Sequence, residues 1–167
     1  MNNRGFSEGT PSIKNEQARG ISVILPCLNE EQSVGRVIEM ARRGIARLGL
    51  EEDILVVDNG SADGTKRVAL EHGARVIFEP HRGYGSALRA GFNNAKYDIM
   101  VMADADLTYD LEALDVLVKP ILDGKADLVM GNRMRNIKPG AMPALHRYVG
   151  NPLLSLALRI MFRSNSV

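Results

Sequence analysis

Asp104 and Asp106 are separated by a single alanine in "MVMADADLTYD", residues 100–110. Four apolar residues lead into the pair, so an apolar strand is expected to end by delivering two carboxylates. In an extended segment, residues two apart point to the same side. Two carboxylates that close repel unless something neutralises them. A divalent cation does this, and oxygen-only ligation suits Mg2+ or Mn2+, whose remaining positions are commonly filled by water and substrate phosphates. Taken alone, Asp-x-Asp is equally an acidic loop.

Other polar residues fall where apolar runs stop. "ISVILPCLNEE" places Asn29 and Glu30 after an apolar run closed by Pro26. "DILVVDNGSADGT" places Asp58, Asn59, Ser61 and Asp63 in a turn with Gly60 and Gly64. Ordinary capping and turn chemistry accounts for both. Asp58, directly after a buried run, is also positioned to hydrogen-bond a nucleoside. Arg133, in "GNRMRN", and Arg147, in "PALHRYVGNP", are cations suited to phosphate oxygens. The glycines of "HRGYGSALRAG" follow neither the dinucleotide pattern after a first strand nor a P-loop. They are expected to allow close helix packing near the cation.

The elements that must position these residues alternate. Apolar, β-branched runs at 21–26, 53–58, 74–79, 98–103 and 126–131 predict five strands. Between them, Val34, Val37, Ile38, Ala41, Ile45 and Leu48 recur at helical spacing. Shorter helices are predicted after Asp63, over 83–95, and over 110–123, where Pro120 should distort the last turn. Strands that are apolar throughout and alternate with helices predict an α/β fold with a mostly parallel sheet flanked by helices on both faces. Ligands then bind beyond the carboxyl ends of the strands, where the polar clusters fall.

Composition narrows the function. The chain has 167 residues, 45% apolar and 25% charged, enough for one core. Four Tyr, four Phe and no Trp argue against a stacking platform for nucleic acid. A single cysteine, Cys27, forms no internal disulfide and fits a reducing, cytoplasmic setting. The net charge of +1 hides an asymmetry. No acidic residue follows Asp127, whereas Arg133, Arg135, Lys138, Arg147, Arg159 and Arg163 do. Residues 1–19 are polar, lack the apolar core of a signal peptide, and read as a flexible arm. Residues 20–142 read as the ligand-binding domain. Residues 143–167 read as an amphipathic, incomplete segment facing acceptor or membrane, or as a core helix covered by a second copy in a homo-oligomer.

"SVILPCLNEE", "ILVVDNGSADGT", "RGYGSALRAGF", "VMADADLTYD" and "ADLVMGNR" occur in the order and spacing of family 2 glycosyltransferases. The chain resembles their polyprenyl-phosphate (dolichol-phosphate) mannosyl- and glucosyltransferase-like branch over about residues 20–160. The resemblance implies a GT-A (Rossmann-like) fold, a nucleotide-diphospho-sugar donor, a divalent metal and inversion at the sugar carbon. It implies nucleoside contacts at Pro26, Leu28 and Glu30, and base and ribose contacts at Val57 and Asn59. Asp104, Ala105 and Asp106 become the metal and diphosphate segment, with Asp106 the direct ligand. Thr108, Arg133 and Arg147 become phosphate contacts. The family often has aspartate where Asn59 stands; a neutral amide there offers both donor and acceptor.

Chemically, the cation and arginines would stabilise the departing nucleoside diphosphate. A polyprenyl phosphate, already anionic near neutral pH, needs little help from a base. A peripheral contact at the cytoplasmic face of a membrane follows from such an acceptor. The alternatives are a module that binds the donor nucleotide with little or no turnover, and a nucleotide-sugar pyrophosphorylase. The latter usually carries a glycine-rich loop where this chain has "PCLNEE".

Overall fold

A computed structural model of the protein describes residues 20–131. Chain contacts separate Met1–Val129 from Met130–Val167, and the elements below all belong to the first unit. In order they are β1 (Gly20–Cys27), α1 (Val34–Leu48), β2 (Glu51–Asp58), α2 (Thr65–Glu71), β3 (Arg75–Phe78), α3 (Tyr84–Asn94), β4 (Ile99–Met102) and α4 (Leu114–Leu122). A 3-10 turn at Leu111–Ala113 precedes α4.

The strands form one parallel sheet in the order β3-β2-β1-β4. Alternation along β1 sends its apolar side chains to two cores. Ile21, Val23, Leu25 and Cys27 pack with Val37, Ile38, Ala41 and Ile45 of α1 and with Leu114 and Val118 of α4. Ile24 joins Leu55 and Val57 of β2 beneath Ala87 of α3. Helices therefore cover both faces, as the unbroken apolar strands predict. α1 occupies the predicted span and ends at Gly49, whose φ of 67° is the left-handed conformation glycine adopts without strain.

Three details differ from the sequence reading. Pro26 lies inside β1, opposite Val57, and does not close the strand. Ladder alternation turns its missing N–H toward β4, whose last paired residue, Met102, stops opposite Ile24, so no bond is lost. Asp63, the residue expected to cap α2, lies one position ahead of the observed cap: Gly64 occupies the cap position, and Asp63 Oδ1 accepts from Thr65 N–H at 3.0 Å. The predicted fifth strand is absent from 126–131. The Lys125 and Ala126 N–H groups turn back onto Pro120 O after α4, and Leu128 and Met130 are exposed, 78% and 80%. An apolar run becomes a strand only where a ladder edge receives it. β4 is consequently an edge of the sheet among the described residues.

A buried polar group supports the lower end of the sheet. Asp53 Oδ2 accepts from Ser22 Oγ at 2.7 Å, and Arg75 grips the carboxylate through Nε at 2.7 Å and Nη2 at 3.0 Å. Arg75 also reaches Asn94 O, and Lys96 N–H donates to Asp53, so the end of α3 is tied to β2 and β3. No local pattern marks this cluster, because its members lie far apart along the chain.

Candidate functional site

The β1–α1 and β2–α2 loops follow neighbouring parallel strands, so both emerge at the carboxyl end of the sheet. Four hydrogen bonds join them. Asn29 N–H donates to Ser61 Oγ at 3.0 Å, and Ala62 N–H to Asn29 Oδ1 at 2.8 Å. Glu30 N–H donates to Thr65 Oγ1 at 2.8 Å, and Glu31 N–H to Asp63 Oδ2 at 3.1 Å. Asn29 reaches this position in a left-handed backbone conformation, φ 60°, which asparagine tolerates better than most residues. The turn residues are thus engaged across loops and not only within their own turn.

Beside these loops lies a cavity of about 470 Å³ lined by Asn29, Glu30, Glu31, Gln32, Ser33, Asp63 and Asp106. It brings Asp106, which follows β4, to the residues that follow β1. Its three other acids are engaged: Glu30 Oε2 accepts from Ser33 Oγ at 2.7 Å, Glu31 pairs with Arg67 at 2.9 Å, and Asp63 accepts from the N–H groups of Glu31 and Thr65.

Burial alternates past the end of β4: Ala103 and Ala105 are buried in the α1-side core, and Asp104 between them is half-buried. Asp106 is exposed. Its Oδ1 accepts from Thr108 N–H at 2.9 Å, and the Thr108 hydroxyl, with that N–H, holds the carboxyl below the usual aspartate range. Leu107 between them sits at φ 65°, a conformation a branched side chain rarely adopts, and this lets Thr108 fold back onto the carboxylate. Asp104 has a different partner: its Oδ1 accepts from the Tyr84 hydroxyl of α3 at 2.8 Å. Burial, then the Asp104 carboxylate, push the Tyr84 phenol up to about 12. Neither aspartate forms an ion pair among the described residues, and no three His, Cys, Asp or Glu side chains there form a closed metal cage. Two carboxylates without cationic partners, offering only oxygen, are a donor set that fits Mg2+ or Mn2+ completed by other oxygens.

Several sequence-predicted contacts have other engagements. Val57 is fully buried, and its side chain packs beneath α3, so only its main chain lies toward the loops. An apolar side chain in a doubly covered strand belongs to the core. Asn59 is buried, and its amide is fully used: Nδ2 donates to Glu79 O and His81 O, both at 2.9 Å, and Oδ1 accepts from Gly83 N–H at 2.7 Å. Asp58 Oδ1 accepts from Ser61 N–H at 2.9 Å, and its Oδ2 accepts no hydrogen bond among the described residues. Pro26 is half-buried, and Leu28 is exposed at the mouth of the β1–α1 loop. Thr108 is exposed beside Asp106. Arg133 and Arg147, the arm 1–19 and the segment 143–167 lie outside the described residues.

Tyr84 was not among the predicted site residues. Its position between two glycines ahead of a helix was the available signal. The glycines of that motif divide in role. A Cβ on Gly91 would sit 2.4 Å from Ile24 Cγ2, so Gly91 permits the close packing of α3, whereas Gly83 and Gly85 have open space around them. Among the described residues no helix is long and apolar enough to cross a membrane.

The sequence model of the family described as "Glycosyl transferase family 2" matches residues 22–158. The chain is 38% identical over 152 residues to the low-salt glycan biosynthesis hexosyltransferase Agl6 of Haloferax volcanii, covering 90% of this chain and 37% of that protein. It is 32% identical over 128 residues to the undecaprenyl-phosphate 4-deoxy-4-formamido-L-arabinose transferase of Proteus mirabilis, covering 72% of this chain and 39% of that protein. A crystal structure of glucosyl-3-phosphoglycerate synthase from Mycobacterium tuberculosis with Mn2+, UDP-glucose and phosphoglyceric acid superimposes with a TM-score of 0.59 at 32% identity. That match covers 85% of this chain and 51% of the synthase. The chain therefore spans about half, or less, of the length of these relatives.

Proposed function

Because this chain belongs to glycosyl transferase family 2, we propose that it transfers a sugar from a nucleotide-diphospho-sugar to an acceptor, with inversion, and that the acceptor is a polyprenyl phosphate. The observation that carries the donor half is the cavity in which Asp106 meets the loop after β1. A parallel sheet offers its ligand crevice at this end. The synthase bound to Mn2+ and UDP-glucose, sharing this fold, supports the same reading. The lipid-phosphate acceptor rests on the undecaprenyl-phosphate transferase relative and on the basic, acid-free stretch after Asp127.

Each residue has a defined task in this reading. Asp106 and Asp104 supply carboxylate oxygens for Mg2+ or Mn2+. Thr108 keeps Asp106 ionised, and a bound cation neutralises charge developing on the diphosphate. Asn29, Ser61 and Asp63 lock the loops carrying Leu28 and Glu30, so the floor beneath the nucleoside is formed in advance. Asp58 presents Oδ2 to the nucleoside. Pro26 and the main chain of Val57 border it. Arg133 and Arg147 meet phosphate oxygens of donor or acceptor. A lipid acceptor would bring the protein to the cytoplasmic face of a membrane.

A thermal-shift panel of UDP-glucose, GDP-mannose and dTDP-glucose, with and without Mn2+, tests the donor. A bound donor raises the unfolding temperature by mass action, and only when Mn2+ is present. Transfer to a short polyprenyl phosphate, lost in Asp106→Ala, tests the reaction. Absence of any shift removes the donor reading; a shift without transfer favours the binding module.

A further inference from the structure

Tyr84 begins α3 with its ring about half exposed, yet its hydroxyl is committed to Asp104 Oδ1 at 2.8 Å. The backbone beneath it is anchored. Gly83 adopts φ 133°, a conformation open to glycine and strained for other residues, and so turns the chain into the helix. Its N–H donates to Asn59 Oδ1 at 2.7 Å, and its carbonyl accepts from Ala87 N–H at 3.1 Å. Asn59 is itself fixed to the chain on three sides, through Cys27 O, Glu79 O and His81 O. A continuous line of hydrogen bonds therefore runs from the end of β2, through Asn59 and the start of α3, to the carboxylate after β4. Oδ2 of Asp104 accepts no hydrogen bond among the described residues.

We propose that Tyr84 is a positioning residue: by holding Oδ1 of Asp104 it presents Oδ2 to the divalent cation that carries the donor diphosphate. This rests on the donor-binding reading above and adds to it a residue outside the Asp-x-Asp segment. A short, half-buried carboxylate side chain just beyond a strand end has more than one rotamer open to it, and a fixed donor on one oxygen selects among them. Partners that orient a metal ligand from behind typically affect metal affinity 10- to 100-fold when removed. A half-exposed phenol at a helix start has no comparable part in folding.

Tyr84→Phe deletes only the hydroxyl. Donor binding to the full chain is titrated by calorimetry at a series of Mn2+ concentrations, with UDP-glucose, GDP-mannose and dTDP-glucose as probes. The Mn2+ concentration giving half-maximal donor binding is expected to rise about 10-fold in the variant, the lower end of that range. Nucleotide binding in EDTA and the ligand-free unfolding temperature are expected to match wild type. An unchanged Mn2+ requirement in a variant whose parent binds donor overturns this proposal and leaves the donor reading intact. A lowered ligand-free unfolding temperature with an unchanged Mn2+ requirement overturns it equally, by assigning the hydroxyl to folding. A parent chain that binds none of the three sugars at any Mn2+ concentration overturns both.

Discussion

The amide of Asn59 is joined to the N–H of Gly83 at 2.7 Å, so the residue that follows β2 also fixes where α3 starts. The same side chain donates twice to the loop after β3, at Glu79 O and His81 O. Three connections therefore depend on one planar group that is both donor and acceptor. An aspartate could serve Gly83 but would face two carbonyl oxygens with a negative charge.

Asn59→Asp is accordingly expected to destabilise the protein by at least about 2 kcal/mol at pH 7, the scale of a buried polar group left unpaired. Its pH dependence identifies the cause. The introduced carboxyl has its folded pKa raised by the facing carbonyls, so the loss is full above that raised value, shrinks as pH falls through it, and its charge-dependent part is gone below the unfolded value of about 3.9. Urea denaturation of wild type and variant at pH 7 and pH 4 measures this. A gap that stays constant between the two would show that charge is not the reason.

Asp53 makes the opposite prediction. Burial alone would raise its pKa, but the Arg75 guanidinium, the Ser22 hydroxyl and the Lys96 N–H outweigh burial and hold it below the usual range. A depressed carboxyl contributes stability above its unfolded pKa and loses it as pH falls through the folded value. Asp53→Asn, which keeps shape but removes charge, is expected to cost about 2 kcal/mol at pH 7, as for a charged hydrogen-bond partner. The difference from wild type should narrow below about pH 4. Equal stability at pH 7 would show that Arg75, half exposed, contributes nothing to the fold through this pair.

What the sequence revealed and what it hid divide by sequence distance. Helix α1 was legible because Val34, Val37, Ile38, Ala41 and Ile45 declare one face within 12 residues. The four strands were legible because each carries a short apolar run, such as Ile54–Val57 of β2. The alternating burial of Ala103 and Ala105 with the less buried Asp104 and Asp106 was legible because alternation is local. The segment 126–131 has the local signature of a strand but no partner, and pairing is not encoded in the run itself. Asn59 and Val57 enter as base and ribose contacts through the family resemblance alone. Their partners in the fold, 20 or more residues along for Asn59 and across the sheet for Val57, give them parts in the loop brace and the core that no local pattern announces. Ser22 and Asp53, 31 residues apart, gave no local signal at all.

Gly44 tests the docking of the segment that follows the aspartates. A Cβ there would lie 2.1 Å from the carbonyl oxygen of Leu111, a backbone atom in the 3-10 turn. Within a helix, alanine is ordinarily favoured over glycine by roughly 1 kcal/mol. Here the overlap outweighs that gain, since forced overpacking costs about 1–3 kcal/mol. Gly44→Ala is thus expected to lower stability, against helix propensity. Arg43 and Arg47, which both grip Glu112 in the same turn, would have to move with it. A stabilised variant would mean that the turn gives way freely, and that α1 does not set the far end of the 104–110 loop.

Asp106 is exposed and forms no ion pair among the described residues, so its removal separates folding from ligand binding more cleanly than any residue above. Asp106→Asn keeps an oxygen for Thr108 N–H and removes the charge. Exposed substitutions of this kind usually change stability by less than about 0.5 kcal/mol. The Mn2+-dependent thermal shift with nucleotide sugar, however, depends on the lost charge and is expected to disappear. Wild type should retain its shift well into mildly acidic solution, because Thr108 holds the Asp106 carboxyl below the usual range and ionised. Thr108→Val, which deletes the hydroxyl, should move the acid limit of the shift upward in pH. A full Mn2+-dependent shift in Asp106→Asn would locate the cation elsewhere and leave the cavity beside Glu30 without its proposed ligand.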